Sequence, residues 1–176
     1  DYSFSLAMPL IEQLKQLNIP LIINSSKTRL EVESIQNKLG LNSTFIIENG
    51  AAIVFNPDTN ELPFFINEDD LESIGQYKIK KLATPRETLL SVANSIKQTH
   101  QFKYKGFNDM SLSQIAELTQ LSLEDAYAAS QREFSEPLYW QDNQSNLSQF
   151  TQLLSEHQIE LQQGGRFIHL GGKCNK

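Results

Sequence analysis

The hydrophobic and polar positions in the first third of the chain combine a helical period with short apolar runs. Apolar residues recur about every three to four positions from Leu6 to Leu17, which predicts a helix. Residues 20–24 and 44–47 are apolar runs that predict buried strands, and residues 51–55 predict a third strand. With a second helix between the first two strands, this order is typical of a parallel sheet covered by helices.

The second helix carries sequence signals at both ends. Thr28 and Glu31 match the T-x-x-E capping box, in which each side chain accepts a hydrogen bond from the other residue's backbone N–H. Gly40 predicts the end of the helix, because glycine readily adopts the left-handed conformation that often follows the last helical turn.

From about residue 77 the pattern changes to a mixture of alternating and helical segments. Tyr77 to Ala83 alternates weakly and predicts an exposed strand, and Thr84 with Glu87 predicts a capping box with Pro85 at the first helical position. Other segments follow the same rules: helices from Ser111, from Ser122 and over 143–157, and strands over 133–140, 159–162 and 166–170. Together they indicate an antiparallel sheet with helices on one face.

Composition narrows the class of protein. The 176 residues carry a formal charge of -6, which argues against nucleic acid as a partner because a phosphate backbone needs a basic face. The single cysteine, Cys174, excludes an intrachain disulfide. No signal peptide and no membrane-length apolar run is found. We therefore expect a soluble cytoplasmic protein with no membrane partner, and the sequence leaves the oligomeric state open.

Ser25, Ser26 and Lys27 stand where a predicted buried strand ends and the Thr28 helix begins. Ligands of open α/β sheets bind at the carboxyl ends of strands, and the N–H groups at a helix start attract anions. Serine and threonine are also the usual helix-cap residues, so an anion site and a plain cap both remain open.

Asn49 and Gly50 follow the next buried strand. Their position places them at the same edge of the sheet as Ser25. An Asn-Gly pair is also a strong turn signal, and a tight turn explains it equally well.

Residues 132–137 place a guanidinium, a hydroxyl and two carboxylates on a predicted strand. Alternation would put Arg132 and Glu136 on one face and Ser135 on the other. A solvated strand with a cross-strand ion pair is the simpler interpretation of this segment.

Residues 164–169 combine two glycines with an arginine and a histidine. Gly164 and Gly165 permit a close backbone approach to a ligand, and Arg166 could hold a carboxylate or a phosphate in a bidentate fork. A hairpin turn with an exposed arginine is the alternative, and a structural role is the more common one for a histidine such as His169.

Four short sequence segments indicate a protein family when they are taken together, although each is a weak signal by itself. They are IINSSKT at 22–28, IIENGAAI at 46–53, REFSEPL at 132–138 and GGRFIHL at 164–170. Their order resembles the mannosyl-3-phosphoglycerate phosphatase family, in the Cof-like branch of the haloacid-dehalogenase-like hydrolases, over essentially the whole chain.

The resemblance implies an α/β fold: a Rossmann-like haloacid-dehalogenase core, incomplete here, with an inserted α+β cap domain. It predicts that residues 1–75 form part of the core and residues 76–163 form the cap. Residues 164–176 would return to the core and stop before the last acidic motif.

The resemblance also implies an activity. Such enzymes use Mg²⁺ and an aspartyl-phosphate intermediate to hydrolyse mannosyl-3-phosphoglycerate, a small sugar-glycerate phosphate, to mannosylglycerate and phosphate. Ser25 matches the hydroxyl that binds the transferring phosphoryl group, and Lys176 matches the lysine that pairs with the nucleophile and the phosphate. Residues expected to contact substrate are Ser26, Lys27, Asn49, Gly50, Arg132, Ser135, Glu136 and Arg166.

The sequence departs from the family in its acidic motifs. It contains no D-x-D-G-T, and Asp1 lacks the second carboxylate that such a motif has. The expected metal ligands therefore fall outside both ends, and Asn175 replaces an aspartate before Lys176. We expect a piece of a longer enzyme that is inactive by itself. A phosphatase of a related ester such as glucosyl-3-phosphoglycerate, or a non-catalytic sugar-phosphate binding protein, remains an alternative.

Overall fold

The computed structural model describes residues 4–56 and 66–172. Its first region consists of two helices and a five-stranded sheet in the order β1-β2-β3-β5-β4. The elements are α1 (Met8–Gln16), β1 (Ile23–Asn24), α2 (Arg29–Leu39), β2 (Phe45–Ile47), β3 (Ala52–Phe55), β4 (Glu72–Ile74) and β5 (Tyr77–Lys81).

The predicted caps of α2 are confirmed. Thr28 Oγ1 accepts from the Glu31 amide at 3.2 Å, and the Glu31 carboxylate accepts from the Thr28 amide at 2.9 Å. Gly40 ends the helix with φ +59°. Val32 on this helix is fully buried against Phe45 and Ile47 of the sheet, so the helix covers the face on which its apolar positions lie.

The sheet of the first region is parallel only between β1 and β2. The loop of residues 48–51 joins β2 to β3 as an antiparallel hairpin, and β5 and β4 continue antiparallel. The parallel arrangement predicted from the order of elements is confirmed for the first two strands, whereas β3 runs antiparallel because so short a loop cannot carry the crossover that parallel strands need.

The first strand differs from its prediction. It is shorter than the apolar run of residues 20–24, and Ile22 is 59% exposed. Within the described residues β1 pairs with β2 alone, which leaves its other edge open. The helix α1 likewise buries none of its residues within the described part of the chain.

The second region is an antiparallel sheet of four strands in the order β6-β7-β9-β8, with helices, as predicted. Its elements are α3 (Arg86–His100), β6 (Tyr104–Gly106), α4 (Leu112–Thr119), α5 (Leu123–Ser130), β7 (Ser135–Trp140), α6 (Gln144–Ser155), β8 (Ile159–Gln163) and β9 (Ile168–Gly172). Short 3-10 turns occupy Glu68–Asp70 and Phe107–Asp109.

The two faces of this second sheet have different neighbours. Leu138 and Leu170 point into a core formed with Leu89 of α3 and with Phe150 and Leu154 of α6. The register then puts Ser135, Pro137, His169 and Gly171 on the other face, since side chains alternate along a strand. This second face is turned toward the first region.

The start of α3 corrects one predicted cap. Pro85 is the N-cap with φ -57° and ψ 144°, and no side chain caps the helix, so the predicted Thr84 capping box is wrong. The backbone N–H of Arg86 instead donates to the Glu133 carbonyl at 2.8 Å. The carbonyl of a distant residue thus accepts a hydrogen bond from the start of α3, where the side chain of Thr84 was expected to be the acceptor.

Two strands belong to a different sheet from the one that the predicted domain limits imply. Tyr77–Lys81 pairs with β3 and β4 in the first sheet, although residues from 76 onward were assigned to the cap. Ile168–Gly172 pairs with β7 and β8 in the second sheet, although residues from 164 onward were assigned to the core. Drawn by sheets, the first limit falls after Lys81 and the second sheet extends to Gly172.

Candidate active site

The segment Ser25–Lys27 lies between β1 and α2 and is tied to the neighbouring β2 loop. The Ser25 amide donates to the Ile46 carbonyl at 3.1 Å, and the Asn49 amide donates to the Ser25 carbonyl at 3.0 Å. The Ser25 hydroxyl accepts from the Lys27 amide at 3.2 Å, which folds the segment into a tight turn. The two loops predicted to share an edge of the sheet are therefore in direct contact.

The turn after β2 has an unusual backbone. Glu48, Asn49 and Gly50 have φ of +46°, +65° and +93°, so three successive residues are left-handed. Asn and Gly tolerate this conformation, but for Glu it is uncommon. The turn directs the Glu48 carboxylate inward, where the residue is only 3% exposed.

Glu48 anchors the start of β7. Its carboxylate accepts from the Glu133 amide at 2.8 Å, from the Phe134 amide at 3.2 Å and from the Ser135 hydroxyl. Sequence reasoning passed over Glu48. A carboxylate directly after a buried strand and before a turn was the available signal, because such a position faces the carboxyl edge of the sheet.

Arg132 crosses from the second region to the first. Its Nη1 donates to the Ser26 carbonyl at 3.1 Å and to the Ser135 hydroxyl at 3.0 Å, and it lies 4.0 Å from the Glu48 carboxylate. Only 8% of the side chain is exposed. Arg132 and Ser135 thus act together, which corrects the prediction that they occupy opposite faces. The strand begins only at Ser135, so strict alternation does not extend back to Arg132.

A cavity of about 680 Å³ opens between the two regions at this point. The first region contributes Ser25, Ser26 and Lys27 to its wall, and the second contributes Arg132, Phe167 and His169. Hydroxyl, ammonium and guanidinium groups therefore line one cleft beside two aromatic rings. The carboxylates of Glu31 and Asp125 also line this cavity, so the combination suits a small polar ligand that exchanges several hydrogen bonds.

No family model matches the chain, but curated proteins and solved structures do. It is 36% identical over 173 residues to a glucosyl-3-phosphoglycerate/mannosyl-3-phosphoglycerate phosphatase from Persephonella marina, covering 98% of the chain and 61% of the relative. A protein of the same name from Methanococcoides burtonii is 31% identical over 175 residues, covering 99% and 63%. A haloacid dehalogenase-like hydrolase from Bacteroides thetaiotaomicron superposes with a TM-score of 0.59 at 11% identity, covering 98% and 65%.

The chain has a haloacid-dehalogenase-like fold. The resemblance seen in the sequence is thereby confirmed by curated relatives along nearly the whole chain and by solved structures of the same fold. The chain spans about three fifths of the length of the curated relatives it matches.

Within this haloacid-dehalogenase-like fold, Lys27 is part of the cavity wall but is also held by a neighbour. Its Nζ lies 2.7 Å from the Glu31 carboxylate, one helical turn along α2. The Thr28 hydroxyl, fully buried, donates to the Ala128 carbonyl at 2.8 Å. The segment therefore acts both as the predicted helix cap and as a wall of the cleft.

His169 lies in the cleft as a neutral imidazole. Burial, and then the nearby Arg132 guanidinium, lower its pKa from 6.5 to about 4. Its Nδ1 and the Nε of Arg132 are buried and lack a hydrogen-bond partner within the described residues. The sequence favoured a structural role for His169, whereas the structure brings it into the wall of the cavity.

Two predicted substrate residues lie elsewhere in the described structure. Glu136 is fully buried on the opposite face of β7, where its carboxylate pairs with Arg86 and accepts from the Asn108 amide at 2.7 Å. Burial raises the pKa of Glu136 above its ordinary value. Arg166 donates to the Leu118 carbonyl at the end of α4 and is not itself among the residues that line the main cavity, although its neighbour Phe167 is. Neither position supports a direct contact with a ligand in the cleft.

The other predicted residues divide between two cavities and the end of the chain. A small space of about 20 Å³, enough for one water molecule, is lined by the predicted residues Asn49 and Ser135. Glu48 and His169, which were not among the predicted residues, also line it. Gly50 belongs to the turn that shapes this space. Lys176, the second predicted catalytic residue, lies outside the described residues.

The described residues contain no group of three or more His, Cys, Asp or Glu side chains that could hold a metal ion. No helix in residues 4–56 and 66–172 is both long enough and apolar enough to cross a membrane.

Proposed function

We propose that this chain is the substrate-binding part of a phosphatase that hydrolyses mannosyl-3-phosphoglycerate to mannosylglycerate and phosphate. The observation that carries the proposal is the cleft in which Ser25, Ser26 and Lys27 face Arg132 and His169. The names of the curated relatives support the substrate class. The active protein would be a longer one that contains this chain, called the parent protein below.

Ser25 would bind the phosphoryl group that is transferred. In the first step an aspartate oxygen of the parent protein would form a bond to phosphorus as the bond from phosphorus to the glycerate oxygen breaks, and mannosylglycerate would leave with a proton from a second carboxylic acid of the parent protein. Water would then hydrolyse the aspartyl-phosphate and release phosphate. The Ser25 hydroxyl would donate to a phosphoryl oxygen, and Lys176 would pair with the phosphate and the nucleophile.

The second region would bind the remainder of the substrate. The glycerate carboxylate carries a charge that the buried Arg132 guanidinium can match. The Nε of Arg132, which has no partner among the described residues, offers a donor for an oxygen atom. The neutral His169 ring can exchange hydrogen bonds with a hydroxyl group. Ser26, Lys27, Asn49 and Gly50 would shape the phosphate side of the cleft, and Ser135 would support Arg132 on the glycerate side. We leave Glu136 and Arg166 out of the binding residues because of their positions.

We keep Mg²⁺ in the proposal on the ground of the resemblance. When bound in such an enzyme, this ion neutralises phosphate charge. The described residues do not supply a set of ligands for it, so the ligands would have to come from elsewhere in the parent protein.

A substrate panel tests the proposal. The parent protein, with Mg²⁺, would be assayed for phosphate release from mannosyl-3-phosphoglycerate, glucosyl-3-phosphoglycerate and p-nitrophenyl phosphate. We expect the mannosyl ester to have the highest kcat/KM. Equal turnover of all three would contradict a dedicated sugar-glycerate phosphatase.

The glucosyl ester is a second candidate substrate, because the names of both curated relatives include it. Preference for the glucosyl ester in the panel would replace the first assignment and keep the reaction. A parent sequence with no D-x-D-G-T motif would instead favour a non-catalytic sugar-phosphate binding protein.

A further inference from the structure

Glu48 connects the two sides of the cleft through a carboxylate that is fully buried. Its side chain is 0% exposed, and its hydrogen bonds go to the amides of Glu133 and Phe134 and to the hydroxyl of Ser135. These donors come from three consecutive residues of the second region, whereas Glu48 belongs to the loop of the first.

Carboxylate oxygens are the appropriate group at this point because they accept hydrogen bonds from all three donors. Three converging donors would be left without partners if the acceptor were removed, and burial makes that loss expensive. The left-handed φ of +46° at Glu48 shows that the backbone adopts an uncommon conformation to bring the side chain here. The Glu48 amide also donates to the Lys27 carbonyl at 3.0 Å, so the same residue is fixed to the Ser25–Lys27 segment.

The orientation of Arg132 follows from these contacts. Arg132 directly precedes the residues that Glu48 holds, and its Nη1 bonds both the Ser135 hydroxyl and the Ser26 carbonyl. With Ser135 fixed by Glu48, the guanidinium is held across the cleft rather than free to turn toward solvent.

We infer that Glu48 is a positioning residue that holds Arg132 and Ser135 against the Ser25–Lys27 segment and so sets selectivity for substrates with an anionic group beyond the phosphate. The inference rests on the proposed function, since it assigns a role within the same site. Glu48 touches no part of the ligand and acts through Arg132. Loss of Glu48 should therefore weaken recognition of the glycerate portion far more than recognition of the phosphoryl group.

The test compares two substrates in the parent protein and its Glu48→Gln variant. The carboxamide keeps the size of the side chain but replaces one acceptor by a donor, which opposes a backbone N–H. We expect KM for mannosyl-3-phosphoglycerate to rise about tenfold, the usual scale for losing a charged hydrogen bond. For p-nitrophenyl phosphate, which lacks the glycerate, kcat/KM should change by no more than about twofold.

Gln36→Ala is the control for general destabilisation. Gln36 is also buried, at 4% exposure, and its amide donates to the Ser43 carbonyl at 2.9 Å, away from the cleft. This variant should lower Tm without changing the ratio of the two kcat/KM values. Ser135→Ala removes the hydroxyl that donates to Glu48 and accepts from Arg132 but keeps both backbone donors to Glu48, and it serves in place of Glu48→Gln if that variant does not fold.

A double-mutant cycle with Arg132→Lys separates positioning from a merely structural role. If Glu48 acts through Arg132, the double variant should have a KM close to that of Arg132→Lys alone. Equal loss on both substrates, or additive effects in the cycle, would overturn the inference. Failure of the wild-type parent protein to prefer the sugar ester would overturn the proposed function itself, which distinguishes the two outcomes.

Discussion

Arg132 is the residue whose chemistry matters most for the proposed ligand. Lysine at this position keeps the charge but lacks the planar fork, so it cannot hold the Ser26 carbonyl, Ser135 and a ligand oxygen together. We predict that Arg132→Lys in the parent protein raises KM for the sugar ester about tenfold, with a smaller effect on kcat. Steady-state kinetics measure this, and an unchanged KM would exclude Arg132 from substrate binding.

His169 should make the stability of the protein depend on pH. Its pKa is near 4 in the folded chain and near 6.5 when exposed, so between these values the unfolded chain binds a proton that the folded chain does not. Stability should therefore fall as pH decreases from about 6.5 to about 4. Urea unfolding at several pH values checks this.

The matched variant for that experiment is His169→Gln, which cannot titrate. The difference in unfolding free energy between wild type and variant isolates the histidine from the other titrating groups, including Glu136. A difference that does not change with pH would show that His169 titrates normally in the folded protein.

At the residue scale, the sequence predicted Ser25, Ser26, Lys27 and Arg132 at the cleft but did not distinguish Glu48 from a turn residue. The reason is physical. The role of Glu48 comes from donors about 85 residues away in the chain, and no local pattern encodes them. Glu136 is the opposite case: its polar motif suggested a contact with substrate, but its buried carboxylate pairs with Arg86.

At the scale of elements, the hydrogen bonds of Thr28 at the start of α2 should contribute measurably to the free energy of unfolding. Thr28→Val removes the hydroxyl that accepts from the Glu31 amide and donates to the Ala128 carbonyl, while keeping the side-chain shape. We predict a loss of unfolding free energy of about 1–3 kcal/mol, from the cap and from the carbonyl left without its donor. Chemical denaturation measures it. Thr28→Ser retains the hydroxyl and should recover most of the loss, and equal losses in both variants would contradict this account.

Element ends were predictable where the partner is local. The caps at Thr28, Ser111 and Ser122 bond residues three positions along the chain, and the structure has all three. The start of α3 was not predictable, because its Arg86 amide bonds the distant Glu133 carbonyl. The direction of β3 also escaped the prediction, since strand rhythm alone does not separate a hairpin from a crossover.

At the scale of the whole molecule, the proposed function assigns the substrate-binding wall to this chain and the nucleophile to the rest of the parent protein. The sequence contains no D-x-D-G-T motif. We therefore predict that this chain by itself releases no phosphate from mannosyl-3-phosphoglycerate above a no-protein blank. Without a nucleophile, positioning of the ligand gives no reaction. A colorimetric phosphate assay with Mg²⁺ checks this, and clear metal-dependent turnover would contradict it.

Among residues 4–56 and 66–172, one edge of β1 has no partner strand and exposed apolar residues lie near it, which fits a place in a longer protein. Leu10 is 59% exposed, Leu17 61% and Ile22 59%, and all three belong to α1 or the segment that leads into β1. Exposed apolar side chains of this kind are commonly covered by another part of a domain.

The fold class was predictable from the order of motifs, whereas the pairing of the two sheets across the cleft was not, because it depends on contacts between distant segments.

The most direct test of the central claim is the kcat/KM of the parent protein for mannosyl-3-phosphoglycerate, measured beside p-nitrophenyl phosphate under the same conditions. The cleft built by Ser25, Lys27 and Arg132 predicts a preference of about 100-fold or more for the sugar ester, because the simple ester has no carboxylate for the buried Arg132 guanidinium to bind. Equal values for the two esters would contradict the claim that this chain recognises a sugar-glycerate phosphate.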